Sequence, residues 1–253
     1  MSWNPVELYY AHNLAGLVAT SEVTGYPVAN ILDGLDGTLW KATGTATQYI
    51  TFDAGSGNTY SPDYLIIYRH NLNTAGATIV LQYSTDNFAG DINDIFTAFA
   101  PSNNYAILKL FTTQAKRYWR LKISGATVAP WIAFCRWGGR TVLDYTDGLT
   151  PYHVERKGNI NVGDDGTLQG IHEKYQEWGL DITFLDAETT LLNKILAWEV
   201  AVGMGLFGVS WDPGDHASDV RILRRKEPKF SAVPKTGGLY VDVTMKLIGR
   251  REL

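Results

Sequence analysis

Five histidines, His12, His70, His153, His172 and His216, are the first candidates for acid–base or metal chemistry. No two stand at a metal-ligand spacing such as His-Glu-x-x-His. His172 and Glu173 are neighbours on a stretch that reads as extended, so they point to opposite faces. Trp211-Asp212-Pro213-Gly214-Asp215-His216 brings two carboxylates and an imidazole together, a set that could hold a cation. The same Asp-Pro-Gly-Asp run is also a good β-turn, because proline presets φ and glycine supplies φ > 0. Gly163-Asp164-Asp165-Gly166 reads as a tight acidic turn and would repel a phosphate. No Gly-x-Ser-x-Gly elbow is present. The single cysteine, Cys135, follows Trp131-Ile132-Ala133-Phe134 and reads as a buried strand residue. Alone it can form neither an intrachain disulfide nor a cysteine-based metal site. Arg224-Arg225-Lys226 is a basic run at a strand end, suited to salt bridges with an acidic loop. No catalytic residue is expected, and the chain reads as a non-enzyme.

Composition supports a folded chain with a sizeable core. Hydrophobic residues make up 45% of the 253 and charged residues 19%, an ordinary globular balance. The net charge is −4, with 8 basic against 9 acidic residues before Gly139 and 14 against 17 after it. Neither half has the positive excess that phosphate neutralisation demands, so direct nucleic-acid recognition is not expected. The start, Met1-Ser2-Trp3-Asn4-Pro5, has no basic, apolar leader pattern, and no apolar stretch is long enough to span a bilayer.

The elements that must position these residues are mostly strands. Segments 49–52, 64–68, 77–83, 106–111 and 118–123 are short β-formers separated by Gly, Asn, Asp and Ser, the pattern of a sandwich or barrel. The pattern changes at Gly138-Gly139. Strands are expected at 141–145, 152–156 and 178–185, with a long polar loop over 158–170. A helix is predicted over 187–202, capped by Asp186 and with Glu188 in its first turn. Its stripe is Leu191, Ile195, Trp198 and Val202, widened by Leu192 and Leu196. Strands 206–211, 219–223 and 239–248 close the chain. The expected fold is β-rich and two-domain: a β-sandwich over 1–139, then an α+β domain over 140–253 with antiparallel sheet and one packed helix.

Three segments of the first half go together: Tyr26-Pro27-Val28-Ala29-Asn30-Ile31-Leu32-Asp33-Gly34-Leu35-Asp36-Gly37-Thr38-Leu39-Trp40, Tyr49-Ile50-Thr51-Phe52-Asp53-Ala54-Gly55, and Arg117-Tyr118-Trp119-Arg120-Leu121-Lys122-Ile123. They resemble the discoidin or galactose-binding-like family of jelly-roll modules over roughly residues 5 to 139. The resemblance implies a sugar site on the loops at one end, with His70, Asn71, Asn73, Asn87 and Phe88 as candidates. It also implies Trp40 as a core plug behind two tight turns. No cofactor is expected, with structural calcium at Asp33, Asp36 and Thr38 as the alternative that the family suggests.

In the second half, Gly148-Leu149-Thr150-Pro151-Tyr152-His153, Asp164-Asp165-Gly166-Thr167, Leu206-Phe207-Gly208-Val209-Ser210-Trp211-Asp212 and Val241-Asp242-Val243-Thr244-Met245-Lys246-Leu247-Ile248-Gly249-Arg250-Arg251-Glu252 stand out. This set resembles minor tail proteins of long-tailed bacteriophages at the distal end or baseplate, and the tail-tube fold. In distal tail proteins the ring domain comes first, whereas here the sandwich does. The resemblance implies a structural part of the virion tail tip, assembled in the host cytoplasm. Its partners would be itself in a ring, six copies being the expected number, other phage tail proteins, and a host-surface glycan. Asp164 and Asp165 of one copy would face Arg224, Arg225 or Lys226 of the next. The alternative reading is a glycan-binding adhesin for host attachment. A cell-wall glycosidase is the catalytic rival, and it would need an acid/base pair about 5–10 Å apart.

Overall fold

The computed structural model describes residues 5–144, 146, 148–214, 219–227, 231–235 and 240–250. The first half contains β1 (Glu7–Ala11), β2 (Val18–Ala19), a 3-10 turn (Val28–Leu32), β3 (Trp40–Lys41), β4 (Gln48–Asp53), β5 (Tyr64–His70), β6 (Thr78–Ser84), β7 (Asn93–Asp94), β8 (Ile107–Leu110) and β9 (Tyr118–Ser124). The chain continues through β10 (Trp131–Val142), β11 (Gly148–Val162) and β12 (Leu168–Ala187) to the helix α1 (Thr189–Val202). It ends with β13 (Phe207–Ser210), β14 (Val220–Arg225), β15 (Ser231–Pro234) and β16 (Val241–Arg250).

One sheet has the order β2-β4-β9-β6-β7. Alternation makes it one-sided: Trp119, Leu121 and Ile123 of β9 are buried, and Tyr118, Arg120 and Lys122 face outward. Its inner face meets Leu65, Ile67, Ile132 and Trp137 of β5 and β10, with Trp40 fully buried among them. This is a β-sandwich. The continuous run Tyr64–Tyr68 reflects burial on both faces of β5, since Tyr64, Ile66 and Tyr68 enter a second cluster with Tyr9, Phe134 and Ile222. Cys135 is fully buried, as its apolar flank requires.

The larger sheet runs β11-β12-β16-β14-β13-β1-β10-β5-β8 and joins the two halves. Gly138 and Gly139 lie inside β10, which pairs with β1 and β5. β1 also pairs with β13, and its Val6-side face, with Leu8 and Tyr10, completes the second half's core. A side chain at Gly138 would collide with the Ala11 carbonyl, so glycine is required by the close approach of β1.

α1 buries Leu191, Ile195 and Trp198 against Phe184, Met245 and Leu247, as its stripe predicts. Its start differs from expectation. Asp186 has φ 53° and Ala187 ends β12, so Glu188 takes the N-cap position, without a side-chain cap bond. Leu196, expected to widen the buried stripe, is exposed.

The segment 158–170 is not a loop. Ile160 pairs with Ile171 and Val162 with Leu168, and only 163–167 turns. The apolar residues there alternate with polar ones, a strand period hidden by the glycines. β16 covers β12 only from Glu177 to Ala187, so among the described residues the outer hairpin is two-stranded.

Candidate functional site

The turn after β6 is the most constrained loop of the sandwich. Asn87 and Phe88 are consecutive non-glycine residues at φ 59° and 63°. Such a pair is costly unless its surroundings impose it. Here the Asp86 carboxylate accepts the Ser84 hydroxyl at 2.8 Å and the N–H groups of Ala89, Gly90 and Asp91 at 3.1, 2.8 and 3.0 Å. These bonds hold its carboxyl below the usual range, the Ser84 hydroxyl contributing most. The Phe88 N–H donates to Ser84 Oγ at 2.9 Å. The pinned turn lays the Phe88 ring over the Arg120 guanidinium at 3.9 Å, and Tyr49 lies over the same group at 4.2 Å. Arg120 Nε donates to Gln82 at 2.8 Å, and Gln82 Nε2 donates to Asp94 at 2.6 Å. The outer sheet face therefore sets aromatic rings beside Arg120 and Asp94, with Gln82 buried between them.

The other three sugar candidates are elsewhere. His70, Asn71 and Asn73 lead into β6, whereas Asn87 and Phe88 follow it, so the five do not form one site. The seven residues of β6 separate them, a span of about 20 Å. His70 is buried, with Nε2 2.9 Å from the Tyr105 carbonyl and Nδ1 accepting from the Leu72 N–H at 3.2 Å. Burial pushes its pKa down to about 4. Asn71 accepts from the Trp131 N–H at 2.8 Å and donates to the Ala129 carbonyl at 3.0 Å, and Asn73 donates to the Pro101 carbonyl at 2.7 Å. These side chains tie loops together, as Asn and Asp commonly do.

No family model and no curated protein matches the chain. Solved carbohydrate-binding modules are similar to it over about half of its length. Chitosan-binding module 1 of a chitosanase/glucanase from Paenibacillus sp. IK-5 is 18% identical, with 51% of this chain and 100% of the module covered and a TM-score of 0.43. The CBM32 of AlyQ, solved with 4,5-unsaturated mannuronic acid, is 19% identical, with 55% and 98% covered and a TM-score of 0.39. A CBM32 from Clostridium perfringens, solved with GalNAc-β-1,3-galactose, is 16% identical, with 48% and 93% covered and a TM-score of 0.40.

The Asp33–Thr38 turn is held by hydrogen bonds. Asp33 accepts the Thr38 hydroxyl at 2.6 Å and the Leu35 N–H at 2.8 Å. Arg69 donates to the Asp36 carbonyl and lies 3.9 Å from its carboxylate. A guanidinium on an oxygen that calcium would use does not fit a divalent cation there. The turn instead meets the second half. Gly34 lies against Gly205, where a side chain would press on the Gly205 Cα, and its carbonyl accepts the Leu206 N–H at 3.0 Å. Arg136, buried, donates to the Leu32 and Leu206 carbonyls at 3.1 and 3.2 Å. Sequence reading missed Arg136, because nothing local marks a strand arginine as buried.

The basic run has partners within the chain. Arg224 lies 3.3 Å from Glu177, the buried Arg225 3.1 Å from Glu199, and Lys226 2.6 Å from Glu155. Lys157 and Lys226 hold the Glu155 carboxyl down at about 2. Asp164 and Asp165 sit at the far tip of the β11–β12 hairpin, where Asp165 accepts the Thr167 N–H at 2.9 Å. The expected acid–base match is therefore not made inside one chain. Asp212 is buried, but Asp215 and His216 lie outside the described residues. Among the described residues, no three His, Cys, Asp or Glu side chains group as a metal site. Nor is any described helix long and apolar enough to cross a membrane.

Proposed function

We propose that this protein is a non-catalytic binding protein whose sandwich contacts a glycan through the outer face around Phe88 and Arg120. The pinned turn carries this reading: it holds two residues at positive φ to set one aromatic ring on Arg120, which the buried Gln82 links to Asp94. Aromatic faces pack on the C–H face of a sugar, and guanidinium and carboxylate groups bond its hydroxyls. The similar modules are glycan binders by name, and a glycan is the ligand class proposed for this face. Division of labour follows the expected boundary at Gly139, which β10 runs through and across which β1 pairs.

The test is a glycan panel screened against the full chain, followed by titration of the best binder. Phe88→Ala should weaken binding about tenfold or more, equivalent to about 1.4 kcal/mol, with unchanged melting. Arg120→Ala should weaken it similarly while lowering the melting temperature, because it leaves the buried Gln82 carbonyl without its donor. Undiminished binding in both variants would remove this face from the account.

A second reading is favoured by the two-stranded hairpin that extends past the sheet. In it, the second half assembles into a ring at a bacteriophage tail tip, docks other tail proteins, and carries the sandwich outside. In that assembly the sandwich serves host attachment.

A further inference from the structure

The outer β11–β12 hairpin has one apolar face and one polar face. Ile160, Val162, Leu168 and Ile171 share one side as directly opposed pairs, with relative exposures of 67, 57, 55 and 69%. Asn159, Asn161 and His172 occupy the other. A two-stranded hairpin with an uncovered apolar face is marginal in water. α1 shows a matching defect. Its outward side carries Leu196, Ala197, Val200 and Ala201, where a surface helix ordinarily carries polar residues, and Val200 is 85% exposed. Exposed Met204 extends this stripe just past the helix end.

We propose that the hairpin of one copy lies on the outer face of α1 of a second copy. Three observations select this occupant. The first is spacing. The rows Ile160/Ile171 and Val162/Leu168 are two residues apart on β11, about 7 Å, a bulge between Leu168 and Gly170 on β12 absorbing the extra residue there. Leu196 and Val200 are one turn apart, about 6 Å. The second is charge. Beyond Val162 the hairpin ends in Asp164 and Asp165, and beyond Val200 the helix stripe leads into a crevice of ≈ 280 Å³ lined by Met204, Leu35, Asp36, Glu177, Arg224 and Arg250. Asp36 faces Arg69 and Glu177 faces Arg224, while Arg250 has no ion pair among the described residues, so it is the cation left to meet the acidic tip. The third is reach. The crevice lies at the hairpin's own base, and Glu177 and Leu168 stand seven paired positions apart, about 23 Å, because β12 carries two extra, bulged residues over that stretch. The hairpin cannot fold back onto its own crevice, so the contact is between copies.

This contact joins unlike surfaces, so it can repeat around a closed ring. It deepens the second reading above by naming its surfaces, and it is independent of glycan binding. Cys135 is fully buried, which leaves introduced cysteines as the reactive ones. Purified full-length Val162→Cys and Val200→Cys chains are mixed and oxidised, and wild type and Ile171→Asp are compared by analytical ultracentrifugation. The expected results are a wild-type oligomer, a folded Ile171→Asp monomer, and a disulfide-linked dimer formed by the mixture but by neither variant alone. An oligomeric wild type with no mixed disulfide and an oligomeric Ile171→Asp overturns the hairpin contact while self-assembly stands. A monomeric wild type at the highest soluble concentration overturns both.

Discussion

At the scale of single residues, His70 makes a clear pH prediction. Its ring is neutral in the fold because burial outweighs the Tyr105 carbonyl bond that favours the proton, leaving the pKa at about 4. The unfolded chain holds that proton below the ordinary value of 6.5, so it binds more protons than the folded chain between pH 6.5 and 4. Stability is therefore full above pH 6.5 and falls as pH drops towards 4, by on the order of 3 kcal/mol for this group. His12, lowered to about 4 by burial and then by Arg136, acts in the same direction. Urea denaturation at pH 7.5 and 5 should show the loss, and His70→Gln should reduce it. Equal stabilities at both pH values would mean that His70 is accessible to protonation in the fold. The loop side of the sandwich was partly legible in the sequence. Asn87 and Phe88 could be singled out as loop residues, but the contacts that make them interesting come from Arg120 and Tyr49 on other strands. Composition does not show which strand neighbours which, so His70 and Asn71 looked equally available although both are committed to loop closure.

At the scale of elements, the strongest periodic signals carried through. The Leu191, Ile195 and Trp198 stripe is buried, and Trp198 stacks edge-on to Phe207 with ring centroids 5.2 Å apart. Trp198→Ala should cost about 3–5 kcal/mol, read by chemical denaturation. A loss under about 1 kcal/mol would show that the helix relaxes around the cavity or is held elsewhere. The closing strand expected over 239–248 is present as β16, with Val243, Met245 and Leu247 buried and Lys246 exposed. The outer hairpin was illegible for a physical reason. Its apolar residues face water in a single chain, so the local pattern resembles a polar loop with scattered hydrophobes. The helix start was displaced because Asp186 and Ala187 are held by the end of β12, and tertiary pairing overrides the local cap preference.

At the scale of the whole molecule, the two halves are tied by strands. β1 pairs with β10 and β13, and Arg136 bridges the carbonyls of Leu32 and Leu206. The change of pattern at Gly138-Gly139 was legible, but its cause is a close strand crossing, and a sequence cannot distinguish that from a linker. A single calorimetric transition is the expected outcome for the full chain, since neither core is complete without β1 or β10. Gly138→Ala should lower that transition, with a cost of about 1–3 kcal/mol from overpacking against Ala11. Two well-separated transitions would mean that the halves unfold independently.

Binding by the sandwich face is the central claim, and amide chemical-shift mapping of the full chain tests it most directly. Neutral and acidic oligosaccharides are titrated in while the backbone signals are followed. The expected result is a saturable shift set confined to residues 84–94 and 118–122, with Tyr49 joining it. Saturable shifts confined to residues 70–77, or no shifts with any oligosaccharide, would contradict it.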